Sequence, residues 1–346
     1  MSERYLPLYE AKMMHQFDHR YATYEGATQA NLNAGILPQT TPDQKADPSF
    51  TVRPRYWVSD DEVSAAIGYR RHQGWAIAFR GITTAVVQRT SIFAVLPRTG
   101  VGHSAFLVYP DVDCSQVTHL LAAFNALVYD YTLRQKISGN LTYSCLKQIA
   151  VPPPLSTGSI CEVFVTRSVI ELVYSAWDIK AFADDVWKEA DDALREAIVR
   201  EWEENRVATG GHEWDPPDWA EIDEDGIKLP PFKWDEDRRA LLRAELDAYY
   251  AKLYGLNRKQ LRYILDPHGL SKKELEDILD PWEDPTCSGP HLLPAEPALD
   301  FPGETFRVLK AKEEKHFGEY RTRRLVLEAW ERLHAEGLMP EAYQQQ

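Results

Sequence analysis

The sequence predicts an α+β protein: a small mixed sheet-and-helix region followed by a mainly helical, acidic C-terminal part. Three observations predict it. Short apolar runs, several bounded by Gly or Pro, cluster between residues 75 and 110. The apolar period then lengthens from that of a strand to that of a helix. After residue 155 helical spacing dominates. The 346 residues, 44% of them hydrophobic, suffice for a sizeable core in two ordinary domains or one large one.

The elements follow in order. Leu8–Gly26, "LYEAKMMHQFDHRYATYEG", reads as a helical segment with His15, Asp18 and His19 on one face, and residues 1–50 as a helical joint and linker. Residues 27–54, rich in Asn, Thr, Gln, Asp and Pro, read as loop. Residues 51–155 read as one α/β unit. "WAIAFRGI" (75–82), "SIFAVLPR" (91–98) and "SAFLVYP" (104–110) are its strands. Leu120, Leu121, Phe124, Leu127, Val128 and Tyr131 then mark one buried stripe, predicting a single helix from about Cys114 to Lys136. "VPPP" closes the unit at Pro154.

Residues 156–346 read as the mainly helical region. "RSVIELVYSAW" is a short helix. Asp235–Gly255 opens on acids and stops at a glycine, and "SKKELEDIL" carries a capping box, Ser271 with Glu274. Two further helices meet near Gly318. Residues 205–233 form an acidic, Pro/Gly-rich connection.

Charge is uneven. Residues 1–49 carry 4 basic and 6 acidic side chains, residues 50–155 carry 10 and 6, and residues 156–346 carry 25 and 41, within a net charge of −14. A basic block inside an acidic chain is what a localised anion-binding face requires. No apolar run reaches membrane-spanning length and no secretory signal is seen, so a cytoplasmic protein is expected. Cys114, Cys145, Cys161 and Cys287 form no CxxC pair and read as free thiols.

Several chemistries lack their motif. No GxGxxG turn, P-loop or GxSxG elbow is present. "WDPPDW" (214–219) resembles the Pro-Pro-aromatic loop of amino-methyltransferases, but Asp218 stands where an aromatic ring must stack, so it reads as an acidic surface loop. His15, Asp18 and His19 could join a fourth ligand on zinc; a polar face pairing with Lys12 and Arg20 is the competing reading.

The Leu8–Gly26 stretch, "RPRYWV" (53–58), residues 75–104, residues 121–154, residues 231–256 and "GEYRTRRLVLEAWERL" (318–333) together resemble the region that follows the catalytic domain in large adenine-specific DNA methyltransferases. These enzymes serve type IIG restriction–modification and the DISARM and BREX phage-defence systems. Arg-Asp-Ile-Thr often stands there where this chain has Arg80-Gly81-Ile82-Thr83, and Asn-Glu-Arg-Thr where it has Val87-Gln88-Arg89-Thr90. The resemblance implies a target-recognition region without the catalytic motifs. It binds double-stranded DNA, is itself non-catalytic, and works with a methyltransferase catalytic subunit or an upstream split fragment that holds S-adenosylmethionine. On that reading His15, Asp18 and His19 pack the joint between catalytic and recognition modules.

The residues expected to touch DNA come from three stretches. "FRGITTAVVQRT" presents Arg80, Thr83, Thr84, Gln88 and Arg89; "PRTGVGHS" presents Arg98, Gly100, Gly102 and His103; "RQKISGNLTYSCLK" presents Arg134, Lys136, Ser138, Asn140 and Lys147. Each has a plainer reading. Arg134 and Lys136 suit a helix C-terminus, the threonines suit strands, and Gly100 and Gly102 suit a hairpin. Three alternatives stand beside DNA recognition: an acidic DNA-mimic or interaction protein, an inactive gene remnant, and an unrecognised hydrolase, which has no motif in its favour.

Overall fold

The computed structural model describes residues 3–68, 74–137, 139–266 and 305–338. Its strands are β1 (Tyr5–Tyr9), β2 (Trp57–Ser59), β3 (Trp75–Arg80), β4 (Phe93–Pro97), β5 (Gly100–Val101) and β6 (Ala105–Val108). Its helices are α1 (Gln29–Ala34), α2 (Pro42–Ala46), α3 (Asp60–Ile67), α4 (Cys114–Asn125), α5 (Leu127–Lys136), α6 (Tyr143–Leu146), α7 (Ile160–Val173), α8 (Lys180–Glu189), α9 (Asp192–Thr209), α10 (Glu236–Leu253), α11 (Arg258–Leu265), α12 (Arg307–Phe317) and α13 (Arg321–Ala335). This is an α+β fold.

The chain forms two compact units. The first gathers residues 1–83, 91–125 and 139–242; the second gathers 84–90, 126–138 and 243–346. The partition differs from the sequential one expected at residues 50 and 155. A seven-residue loop and helix α5, both inside the expected α/β unit, belong with the C-terminal helices because their polar groups bond there, as described below.

The first unit contains every described strand. β4, β3 and β6 form an antiparallel sheet with Ile77 opposite both Val95 and Val108. A second sheet has the order β2-β1-β5, with β1 antiparallel to β2 and parallel to β5. Phe79 stacks on Phe106 at 5.2 Å, and Phe93 on Phe124 of α4 at 4.6 Å, which joins the sheet to its helical cover. Such ring pairs add to the burial of large apolar area. α7 packs against α4, and α9 against α7, burying Val165, Val169, Leu172 and Ile198.

Three local expectations are corrected. The N-terminal segment is not helical: Tyr5–Tyr9 is a strand, Ala11–Met13 a single 3-10 turn, and His15 and Asp18 close a tight backbone turn. Phe17 takes φ 57° there, a conformation side chains rarely adopt, held because its N–H donates to Phe93 O at 3.0 Å and its carbonyl accepts from Arg239 Nη2 at 3.2 Å. Residues 27–54 are not all loop. Thr28 and Thr41 cap α1 and α2, accepting from Asn31 N and Gln44 N, each at 3.2 Å.

The helix expected from Cys114 to Lys136 is two helices. Ala126 is extended at φ −67°, ψ 146°. The carbonyls of Phe124 and Asn125 accept from Ser91 Oγ and Gln16 Nε2, and the Asn125 side chain exchanges two 3.0 Å bonds with the Phe93 backbone. These groups are satisfied outside a helical ladder, so the helix stops. α10 and its Gly255 end, and the paired α12 and α13 around Gly318 at φ 76°, lie where the spacing put them. The Ser271 capping box lies outside the described residues.

Candidate nucleic-acid interface

In the second unit the loop Thr84–Thr90 is organised from below by α5. Asp130, fully buried, accepts from Thr90 N with both oxygens at 3.2 Å and from Arg134 Nε at 2.8 Å. Arg134 then carries its guanidinium into the loop. Nη2 donates to Val87 O and Gln88 O, each at 3.0 Å, and Nη1 donates to Ala85 O at 3.1 Å and to Thr305 O. Its plane lies 4.7 Å from the Phe306 ring. Arg89 is also buried, 3.8 Å from Asp130 and 3.6 Å from Asp247. Asp247 accepts from Leu127 N at 2.7 Å, and burial pushes its carboxyl up to about 6 against the opposing pull of Arg89.

What this scaffold presents is uncharged. Thr84 is exposed, Val86 is 63% and Val87 37% exposed, and Gln88 is half-buried. Gln88 Oε1 accepts from Lys312 Nζ of α12 at 3.0 Å. Val308, Lys312 and Lys315 fall at i, i+4 and i+7, one stripe of α12, and that stripe therefore adjoins the loop. Arg307, Lys312 and Lys315 are exposed and have no carboxylate partner among the described residues; Glu313 is occupied by Thr322, leaving Glu314 as the exposed acid of the helix. Lys136 is exposed at the end of α5.

The residues expected to touch DNA are thus divided. Arg89 and Arg134 are corrected: their charges neutralise Asp130 and Asp247 inside the protein, and a buried paired guanidinium cannot grip a phosphate. Gln88, Thr84 and Lys136 remain at the surface. Ser138 lies outside the described residues.

In the first unit Arg80 is corrected likewise, since Nε donates to Met14 O at 2.9 Å and the guanidinium faces the Tyr21 ring at 5.4 Å. Thr83 is buried. Arg98 is held by Asp60, with Nη2 2.6 Å from Oδ1, and by Ser64. Gly100 is a packing glycine: a Cβ there would come 2.7 Å from Val58 Cγ1 and 3.0 Å from Leu8 Cδ1. Gly102 N donates to Tyr9 O at 2.8 Å. His103, Asn140 and Lys147 are exposed. Gly81 is a close-packed glycine: a Cβ there would overlap the Phe106 ring, which would have to move. Four of the arginines behind the positive balance of residues 50–155 are therefore held by internal partners.

Sequence reasoning did not single out Asp130, Asp247, Phe306 or Lys312. The Asp130–Arg134 pair had a signal, an i, i+4 spacing of opposite charges on one helix. Lys312 had none, since it lies 224 residues from its partner.

The His15, Asp18 and His19 cluster is dispersed. Asp18 pairs with Lys45 Nζ at 2.5 Å, His19 Nε2 lies 2.8 Å from Asp178 Oδ1, and the His15 ring lies tilted against Tyr21 at 4.7 Å. Among the described residues no three His, Cys, Asp or Glu side chains are placed to hold a metal ion. Burial pushes the Asp18 carboxyl up, but Lys45 and Arg239 beside it outweigh that and hold it at about 2. Arg20, also buried, donates to the carbonyls of Lys45, Asp47, Phe50 and Ser175. These are framework bonds.

The first unit also has a cleft of about 790 Å³ walled by Tyr9, Trp57, Trp177 and Trp219. Its charges mostly pair with one another, Arg4 with Glu221, Lys180 with Asp184 and Lys188 with Asp223. Thr51 and Tyr9 line it beside these charges, and no Ser, Cys or His does. Trp214 of "WDPPDW" packs edge-on against Trp177 at 5.3 Å, and Asp218 is exposed, as a surface loop requires. Among the described residues no helix is long and apolar enough to cross a membrane.

No family model, no curated protein and no solved structure matches this chain.

Proposed function

We propose that this chain is the DNA-recognition part of an adenine-specific DNA methylation system of the restriction or phage-defence kind, with methyl transfer carried by a partner polypeptide that holds S-adenosylmethionine. The observation that supports this reading is the pinned Thr84–Thr90 loop, uncharged at its exposed positions, beside the cationic stripe of α12. Lysines and arginines on such a stripe fix phosphates, and polar or apolar groups on a rigid loop reach base edges. The resemblance of the sequence segments supports it from a separate direction. The buried arginines serve it as scaffold.

The test is equilibrium binding of the full chain to a fluorescent duplex across a salt series. A DNA reader loses affinity steeply as salt rises, with a slope set by the phosphates it neutralises. A methylation assay with S-adenosylmethionine is blank for the chain alone. Absence of duplex binding at low salt overturns the proposal.

A second reading has its own observation. Glu213, Asp215, Asp218, Glu224 and Asp225 are exposed on one connecting segment. Such a strip supports a mimic of DNA phosphates, or a docking face for a basic protein. The same salt series separates the two, since a mimic does not bind DNA.

A further inference from the structure

We propose that the Thr84–Thr90 loop is a base-contacting tip whose working groups are Val86 and Val87, with Arg134 as its positioning residue. This rests on the DNA reading above and adds the chemistry of the contact. The usual expectation for such a loop is that its charged residue reads the base. Here Arg89 is only 7% exposed and already faces Asp130 and Asp247. Outside the protein the loop offers a threonine hydroxyl and two valines.

Exposing two adjacent β-branched side chains costs free energy in the unbound protein unless something covers them. Nor is the exposure a sign of a loose loop. Arg134 bonds three of its carbonyls, Asp130 takes Thr90 N, and Thr90 Oγ1 donates to Thr84 O at 2.7 Å, closing the loop on itself. A rigid apolar tip loses little conformational entropy when it is buried against a partner.

Charge complementarity commits the partner to duplex DNA. Lys312 adjoins the loop through Gln88, Lys315 follows one turn later on the same stripe, and Arg307 directly follows Phe306, the ring that covers Arg134. Apolar tips flanked by cations meet DNA in two known ways. They touch thymine methyls in the major groove, or they wedge into a base step from the minor groove. Both are apolar contact with bases, and both suit valine.

Duplexes bound by the full chain are selected from a randomised pool, and affinity is read by fluorescence anisotropy. The double variant Val86→Ser/Val87→Ser, altered only at exposed positions, binds the selected duplex at least about tenfold more weakly, with its salt slope unchanged. Uracil in place of thymine weakens the wild type if methyls are touched, and 2-aminopurine brightens in the wild-type complex if a step is unstacked. Either signal, lost in the double variant, supports the proposal. Arg134→Lys keeps the charge and the salt slope but loses the same signal. A double variant that binds as tightly as wild type, or a wild-type complex with neither signal, overturns the tip while leaving DNA recognition standing. No binding of duplex by the wild type removes both and assigns the tip to a protein partner.

Discussion

Arg134 sits one helical turn after Asp130 on α5, its Nε 2.8 Å from the Asp130 carboxylate, and the two residues divide the same loop between them: the acid takes the Thr90 N–H and the base takes the carbonyls of Ala85, Val87 and Gln88. Neither charge reaches solvent. A pair built this way satisfies the loop backbone, which would otherwise bury unbonded polar groups.

The first prediction follows from that burial. Asp130→Asn leaves Arg134 without its counter-charge, and Arg134→Met leaves Asp130 only the more distant Arg89, 3.8 Å away. Removing one member of a buried pair costs about 3–5 kcal/mol. Each single variant lowers the unfolding free energy by that amount, read as a lower urea midpoint with the slope of the transition unchanged. The double replacement Asp130→Asn/Arg134→Met costs less than the two singles added together. Strict additivity would show that the two charges do not depend on one another.

Charge reversal on α12 tests the interface without touching the core. Arg307→Glu and Lys312→Glu are at exposed positions, so thermal unfolding shifts little. Duplex binding weakens for all sequences alike, and each lost phosphate contact reduces the salt slope by about 1. An unchanged slope in both variants places the phosphates elsewhere.

Acid should weaken the first unit through Asp18. Its folded carboxyl, held at about 2 by Lys45 and Arg239, lies below the ordinary carboxylate value of 3.8. A depressed carboxyl contributes stability that is present above the unfolded value and is lost as pH falls through the folded one. The window therefore runs from about pH 4 down to about pH 2, and the loss is about 2 kcal/mol. Asp18→Asn should flatten that part of a stability-versus-pH curve measured by urea unfolding. If the curve keeps its acid limb in this variant, another group is responsible.

Gly100→Ala distinguishes a packing glycine from a contact glycine. The added methyl meets Val58 and Leu8 between neighbouring strands, and overpacking of this kind costs about 1–3 kcal/mol. Duplex affinity, measured well below the unfolding midpoint, stays at the wild-type value. A variant that keeps its stability and loses DNA affinity would restore Gly100 to the interface.

Much of the architecture was legible in the residues. The strands Trp75–Arg80, Phe93–Pro97 and Ala105–Val108 follow apolar runs, and α10, α12 and α13 follow helical spacing with glycine ends. The break at Ala126 was not legible, because the apolar stripe runs through it unbroken; side chains of Ser91 and Gln16, distant in sequence, take the carbonyls that would have continued the helix. Thr28 and Thr41 did carry cap signals, obscured by a polar, proline-containing context.

By itself the sequence determined the fold class, the positions of three of the six described strands and of α10, α12 and α13, the acidic balance and the uneven placement of charge, because periodicity, capping and composition act over short distances along the chain. Only the tertiary structure decided what the charges do. Whether an arginine faces a phosphate or an internal carboxylate depends on which acid the fold brings within a few ångströms of it. For Arg89, Arg98 and Arg134 the fold supplied an internal acid, for Arg80 a carbonyl and a tyrosine ring, and for Arg307, Lys312 and Lys315 it left the surface.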